Sequence, residues 1–412
     1  MVKHKLYIII AVITFILSFF IFFIVKNVSK DSFSSDKQLT QKQKLEDFEY
    51  MYNILKENYP FFELDKSGYN VDWLSSKNIY IDKIKSTKSD SEFYSVLDNI
   101  LKDLNDGHTN ILDASTFAEY KTYFETDKNL ASWNKQLSDK KAIARYKYGD
   151  SKESCKTNEA IDEFYKGNNF STQILVQEKV AYLSLNSFNY SNLDKDMKSI
   201  KPFLNKIKDY EKLIIDIRGN PGGSDYFWRS NIVPMLIEKP LSYNSYCLFR
   251  GGKFEESFIE DSFKLNYKTL LPIANLNREN LKKLPAEAKT DFKYYMKCED
   301  TIYPNKPVGF KGKIYLMVDK YVYSSAEGFA FMAKNSGFAT LIGDRTGGGL
   351  SNQPVLCVLP NSGFVFRFSM AMGLDSDGTC VNEFTTKPDI YMPTPKESDL
   401  MEDKAIQYII NH

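Results

Sequence analysis

Lys313-Ile-Tyr-Leu-Met-Val-Asp-Lys-Tyr-Val-Tyr-Ser324-Ser325-Ala326-Glu327 is the stretch that decides how this chain folds. Ile314 to Val318 is a short, mostly apolar run of the kind that forms a buried strand. An aromatic turn follows, and Ser-Ser-Ala-Glu then opens a helix. Gly328 through Lys334 continue it, and Gly337 is placed to cap its C-terminus. A serine at such a junction stands beside unpaired backbone N–H groups and the positive end of the helix dipole. An oxyanion needs those same groups. A serine there is also an ordinary helix cap, and for Ser324 or Ser325 taken alone the cap is the simpler reading.

The surrounding chain alternates strands and helices. Val180 to Asn186 reads as a strand, Leu193 to Tyr210 as a helix, and Leu213 to Ile217 as another apolar strand. The last of these runs directly into Arg218-Gly-Asn-Pro-Gly222-Gly223, with a helix expected from Ser224. A glycine-rich loop after a strand can cradle a phosphate, but this one lacks the Lys-Ser/Thr of a P-loop and the spacing of a dinucleotide fingerprint. Its backbone N–H groups serve an oxyanion equally well, and a tight turn is the bland alternative. Beyond an insertion at about 240–305 and the Ser324 segment come Ala339 to Gly343 and Asp344-Arg-Thr-Gly-Gly-Gly349. Two β-rich runs, Pro354 to Leu359 and Phe364 to Ser369, precede Lys387-Pro-Asp-Ile390. This alternation indicates a layered α/β core.

Acyl transfer by a serine requires a base. The chain holds three histidines; His4 precedes an apolar run and His412 is the last residue, so His108 alone is placed to serve. It follows a helix that opens at Ser89-Asp-Ser-Glu92 and carries Phe93, Val96, Leu97, Ile100 and Leu104 on one face. That helix stops at Asn105-Asp106-Gly107-His108-Thr109, a turn from which a side chain can enter a cleft. An earlier helix is spaced by Leu45, Phe48, Tyr52 and Leu55 and ends before Pro60. Residues 116–172 are polar and poorly periodic, and an irregular connection is expected there.

A chain of 412 residues is long enough for two or three domains, and 54 Lys+Arg against 53 Asp+Glu give no reason to expect a nucleic-acid partner. Cys155, Cys247, Cys298, Cys357 and Cys380 have no metal-ligand spacing. Leu6 to Val25 is an unbroken uncharged run of 20 residues, enough for a helix of roughly 30 Å. No small-x-small cleavage site follows it, so an uncleaved single-pass signal anchor is expected, with the bulk of the chain extracytoplasmic.

Leu-Ile-Ile-Asp-Ile-Arg-Gly-Asn-Pro-Gly-Gly, Ser324-Ser-Ala-Glu327, Ile-Gly-Asp-Arg-Thr-Gly-Gly and Lys-Pro-Asp-Ile closely resemble the tail-specific, or C-terminal-processing, serine peptidases. That family also includes the tricorn protease core and the interphotoreceptor retinoid-binding protein. The resemblance covers about 180–392 and the helical region ending at His108-Thr109. It implies a layered β-sheet core like that of crotonases and Clp proteases, with flanking helices. It places Ser324 at the nucleophile, and the N–H of Ser325 with that of Gly222 or Gly223 in the oxyanion hole. Where Ser–Lys members have their lysine this chain has Gly349, so the resemblance runs to the branch that takes a histidine, here His108, from the upstream helices. The orienting group is then Glu383 or Asp106, and Gly107 stands where that branch has a serine. No PDZ domain is expected in 116–172.

The organisation implied is an anchor at 1–26, a polar linker at 27–42, a helical domain carrying the base at 43–115, the irregular connection at 116–172 and an α/β core at 173–412. The expected activity is serine-type hydrolysis of a protein or peptide substrate, at the membrane through the N-terminal helix, with no metal and no cofactor. A non-catalytic ligand-binding protein on the same scaffold is the alternative.

Overall fold

A computed structural model describes residues 38–126, 130–148, 169–350 and 352–412. The run Leu6–Val25, and with it the expected anchor, lies outside these residues. Among the described residues no helix is long and apolar enough to cross a membrane. In chain order the strands are β1 Asn110–Ile111, β2 Phe170–Val176, β3 Val180–Leu185, β4 Lys212–Asp216, β5 Leu241–Phe249, β6 Leu271–Pro272 and β7 Tyr294–Ile302. They continue with β8 Lys313–Val318, β9 Thr340–Gly343, β10 Val355–Val358, β11 Val365–Phe368, β12 Met372–Asp375 and β13 Ile390–Tyr391.

The central sheet has the order β13-β9-β8-β4-β3-β2, parallel throughout except for the antiparallel pair β2 and β3. A parallel sheet is covered on both faces, and its strands therefore read as unbroken apolar runs rather than alternating ones. Every residue of β3 is buried, as are the last four of β4 and of β8. One face packs against the helices Leu193–Lys206 and Ser325–Ser336, through Ile200, Leu204, Ala326, Phe329 and Ala330 among others. The other face packs against the C-terminal helix Lys404–Asn411, whose Ala405, Ile406 and Ile409 meet Tyr182, Ile214, Met317 and Ile342.

Asp216 of β4 lies level with Met317 of β8, so the loops that follow these strands leave the sheet side by side. The carboxyl ends of parallel strands are where open α/β sheets bind their ligands. A buried ion network anchors the first of these loops from beneath. Arg218 bonds Asp216 at 2.8 Å and Asp403 at 2.7 Å, with none of the three more than 2% exposed at the side chain. Burial alone would raise the Asp216 carboxyl, but the Arg218 guanidinium more than offsets it and holds the group below its usual range. Asp403 also caps the last helix by accepting from Ala405 and Ile406 N–H. Asp403→Ala strands the Arg218 charge and removes the cap, and is expected to cost about 3 kcal/mol. A fall in the urea unfolding midpoint without a change in slope checks this.

The amino-terminal helices share a core with the rest of the chain. Phe48, Phe93, Leu97 and Leu101 belong to the same apolar cluster as Phe249, Tyr295, Val355, Phe364 and Met372. Buried polar contacts reinforce the junction: Arg145 reaches Asp90 at 2.9 Å and Ser362 O at 2.6 Å, while Asp47 accepts from Asn361 and Ser362 N–H. The expected boundary at 115 therefore falls inside a continuous packing unit.

Two regions fold more regularly than their sequence suggests. The stretch 116–172, expected to be irregular, instead carries helices Ala114–Thr126 (entered two residues before it), Ala131–Leu137 and Lys140–Arg145 among its described residues. Their anchors, Phe117, Phe124, Trp133, Leu137 and Ala142, are buried. Each helix is too short, and too polar on its outer side, for those anchors to stand out as a period. Residues 149–168 lie outside the described ones. The insertion at 240–305 supplies β5, β6 and β7 of an antiparallel sheet ordered β12-β5-β7-β6. The helix expected from Ser224 is present over 226–236, its middle Trp228–Ile232 widened into a π-helix and its last segment Val233–Leu236 carrying Pro234 near its first position.

Candidate active site

Ser324 stands between the loop after β8 and the helix Ser325–Ser336, with φ 55° and ψ −121°. Positive φ is uncommon for a residue with a side chain and costs roughly 1–3 kcal/mol. The neighbours impose it. Ser324 N–H donates to Gly348 O at 3.0 Å, and Ser324 O accepts from Gly328 N–H at 2.9 Å. The simpler reading of Ser324 as a helix cap does not hold, because its side chain makes no capping bond. Its Oγ lies 3.1 Å from Nε2 of His108, 216 residues earlier in the chain.

His108 is 6% exposed and sits in the turn that follows the helix Asp90–Lys102. Asp106 organises that turn, accepting from His108 N–H at 3.0 Å and from the hydroxyls of Thr109 and Ser369 at 2.7 Å each. Asp106 thus acts on the backbone that carries the imidazole. Behind it, burial and then the Asp106 charge push the Asp65 carboxyl up to about 8. Glu383, the other expected orienting residue, is on the short helix Val381–Phe384, and its side chain lies outside the described ones.

The carrier turn is bound to β11. Its continuation, β1, pairs Asn110 with Arg367, Leu112 N–H donates to Val365 O, and Arg367 donates to Gly107 O at 3.2 Å. The base is therefore presented jointly by the amino-terminal helices and a late strand of the chain.

Burial pushes the His108 imidazole down to about 4; the Asp106 charge opposes the shift and Arg367 adds to it. The ring is neutral at physiological pH and ready to accept a proton. Because the folded value lies below the ordinary 6.5, the acid limb of kcat/KM is expected near pH 4, with turnover lost as pH falls through it. For the same reason stability is expected to decline as pH drops from about 6.5 towards 4. A pH–rate profile centred near 6.5 contradicts the buried ring.

The glycine loop borders the serine. Gly222 N–H donates to Asn220 Oδ1 at 2.8 Å and Gly222 O accepts from Phe188 N–H. Of the two glycines expected as donors, Gly222 therefore has its N–H engaged. Among the described residues, Gly223 N–H and Ser325 N–H make no hydrogen bond. Gly223 has φ +132°, and a Cβ there would fall 2.3 Å from Phe188 O. Asn220 pins the loop in three ways, donating to Leu185 O, accepting from Gly222 N–H through its side chain and accepting from Tyr323 N–H through its carbonyl.

Glu327, fully buried one turn into the helix, accepts from Thr386 N–H and Oγ1 and from Gly348 N–H. Burial raises its carboxyl, partly offset by the Thr346 and Thr386 hydroxyls. This residue clamps the 346–349 loop to the serine-bearing helix.

Tyr323 was not singled out by the sequence, yet its ring packs 5.2 Å from His108, centroid to centroid. It passes between two glycines. A Cβ on Gly107 would lie 2.8 Å from the Tyr323 hydroxyl, and one on Gly349 would lie 2.5 Å from the ring. Gly349 is the position at which the Ser–Lys members carry lysine, and here the tyrosine ring fills that space. Gly107 and Gly349 both depart from the family pattern, and that coincidence was the one available sign of a bulky side chain between them.

Ser324, His108, Ser325, Gly222 and Gly223 all line one open groove of about 2050 Å³, large enough for an extended peptide. No group of three or more His, Cys, Asp or Glu side chains that could hold a metal ion occurs among the described residues. A hydroxyl in contact with a neutral imidazole, next to an unengaged N–H at a helix N-terminus (Ser325) and another in the glycine loop (Gly223), is a geometry that can form and stabilise a tetrahedral acyl intermediate.

A family model described as peptidase family S41 matches residues 179–392. Among solved structures, a protein from Parabacteroides merdae ATCC 43184, proposed to be a peptidase, aligns with a TM-score of 0.55 at 22% identity, covering 89% of this chain and 96% of that one. Mature CPAF complexed with lactacystin aligns with a TM-score of 0.53 at 13% identity, covering 86% and 94%. These two likenesses are of fold.

Proposed function

The chain belongs to peptidase family S41 and is a serine peptidase, and from that premise we propose that it cleaves peptide bonds with Ser324 as nucleophile and His108 as base. The observation that carries the reading is the 3.1 Å contact between Ser324 Oγ and His108 Nε2. With the ring proton on Nδ1, Nε2 accepts the hydroxyl proton as Oγ attacks the carbonyl carbon of the scissile bond. The imidazolium then donates that proton to the departing amine, and water, deprotonated in turn by His108, releases the acyl group. Ser325 N–H and Gly223 N–H are the donors that receive the oxyanion, worth about 3 kcal/mol each in such sites. Asp106 holds the turn that carries the base and favours the imidazolium that forms.

The substrate is a protein or peptide taken up in the open groove. Anchoring by Leu6–Val25, with the peptidase on the extracytoplasmic side, is part of the same proposal and rests on the uncharged run of the sequence. A fluorophosphonate probe tests the site. Labelling of the wild type, loss of labelling in Ser324→Ala and a modified peptide containing Ser324 support it. Labelling that survives the substitution sinks it. Protease protection of the folded domain in sealed vesicles tests the topology.

A further inference from the structure

Cys247 of β5 is level with Met296 of β7, and Cys298 of β7 with Ser245 of β5. The two cysteines are therefore diagonal neighbours across one strand pair. Side chains alternate faces with a period of two, so both sulfurs stand on the same side of the sheet, close enough to interact. Their Sγ atoms lie 3.6 Å apart. Cys247 is buried and Cys298 half-buried, so the pair is reached from the Cys298 end.

The two sulfurs are not equivalent. A bond from Cys298 lowers the Cys247 thiol below its ordinary value; burial opposes that shift, and a bond from Asn352 Nδ2 at 3.3 Å adds to it. The bond to Cys247, and then burial, raise the Cys298 thiol.

This side of the sheet also carries part of the groove wall. Gly373 of β12 is level with Cys247 on the other side of β5, and a Cβ there would fall 2.6 Å from Leu350 O. Leu350 and Asn352 both line the groove, and Asn352 is fastened to the sheet through the Cys247 sulfur.

We propose that Cys247 and Cys298 form a reversible disulfide, and that closing it releases Asn352 and weakens substrate binding in the groove. The bond needs no movement of the strands out of register, only rotation of the two side chains to bring the sulfurs to about 2 Å. In exchange with a small disulfide RSSR, the accessible Cys298 attacks as thiolate and displaces one RS⁻. Cys247, as thiolate, then attacks the Cys298 sulfur of the mixed disulfide and displaces the second RS⁻. The two thiol protons leave with two RSH, so the pair is oxidised as RSSR is reduced. Cys247 Sγ is drawn towards Cys298 and loses its thiolate character, which leaves the Asn352 amide a poorer acceptor. The effect on the groove rests on the proposed peptidase site, whereas the disulfide does not.

Oxidised glutathione followed by dithiothreitol, applied to the full chain, tests the proposal. Oxidation is expected to lower the intact mass by about 2 Da, with a linked peptide containing Cys247 and Cys298 that dithiothreitol abolishes. On an internally quenched peptide KM is expected to rise about threefold or more, with kcat within about twofold, and reduction to restore it. Cys298→Ser is expected to cleave like the reduced wild type and to ignore the oxidant, and Asn352→Ala to show the raised KM in both states. Hydrogen exchange around Leu350 and Asn352 is expected to quicken on oxidation, a readout that needs no turnover and so holds even if the peptidase reading fails. A glutathione adduct with no Cys247–Cys298 link overturns the pair. A linked pair that leaves exchange in that segment unchanged overturns its coupling to the groove.

Discussion

Ser324→Ala is expected to lower kcat on a cleavable peptide by at least about ten-thousandfold, and His108→Ala to do nearly the same. The two side chains act as one unit, since the imidazole has no proton to take once the hydroxyl is gone, and the hydroxyl is a poor nucleophile without the imidazole. The double variant is therefore expected to be little slower than either single one. The residual rate comes from binding and from the Ser325 and Gly223 N–H groups, which neither substitution touches. Removing the strained Ser324 side chain leaves Ala at φ 55°, so the circular dichroism spectrum and unfolding midpoint should change little. More than a hundredth of wild-type turnover in Ser324→Ala rejects the assignment. A double variant far slower than both singles rejects the coupling.

Gly349→Ala is the second large effect. The new Cβ would fall 2.5 Å from the Tyr323 ring, and φ at this position is +84°. Overpacking of this kind costs roughly 1–3 kcal/mol, and the left-handed backbone adds about 1 kcal/mol for a residue with a Cβ. The ring has little room to move, because Gly107 closes on its hydroxyl end and the His108 ring packs at a tilt beside it. Relief is thus expected to come from displacement of the imidazole, and a shift of about 1 Å at the reacting atoms can cost a hundredfold in rate. The expected result is a protein about 3 kcal/mol less stable with turnover reduced a hundredfold or more. Restoring space with Tyr323→Leu in the same chain should recover stability more fully than activity. If Gly349→Ala is as stable and active as wild type, the ring is not wedged as described.

Much of this arrangement is legible in the residues. β3, β4, β8 and β9 are apolar runs because a parallel sheet buries both faces, and the loops after β4 and β9 are rich in glycine. His108 could be chosen among three histidines by position alone. The contacts that set the geometry are a different matter. Tyr323, Gly107 and Gly349 meet across more than two hundred residues, and no local period announces such a meeting. Glu327 belongs to a readable motif, but its partners Thr386 and Gly348 are visible only after folding. Asn220 likewise looks like a turn residue until its side chain is seen occupying Gly222 N–H, which separates the two glycines the sequence left equivalent. The helices at 114–145 were hidden for a simpler reason. A few large anchors on short polar helices do not produce a countable pattern.

The seat of the imidazole has a consequence for how the protein is made. A nascent chain that has emerged as far as residue 336 already possesses both His108 and Ser324, yet it lacks β11, which β1 pairs with, and Ser369, which holds Asp106. It also lacks Gly348, whose carbonyl fixes the nucleophile's backbone. Cutting power is therefore expected to appear only when synthesis is nearly finished, which a truncation ending at residue 336 would show by its lack of turnover.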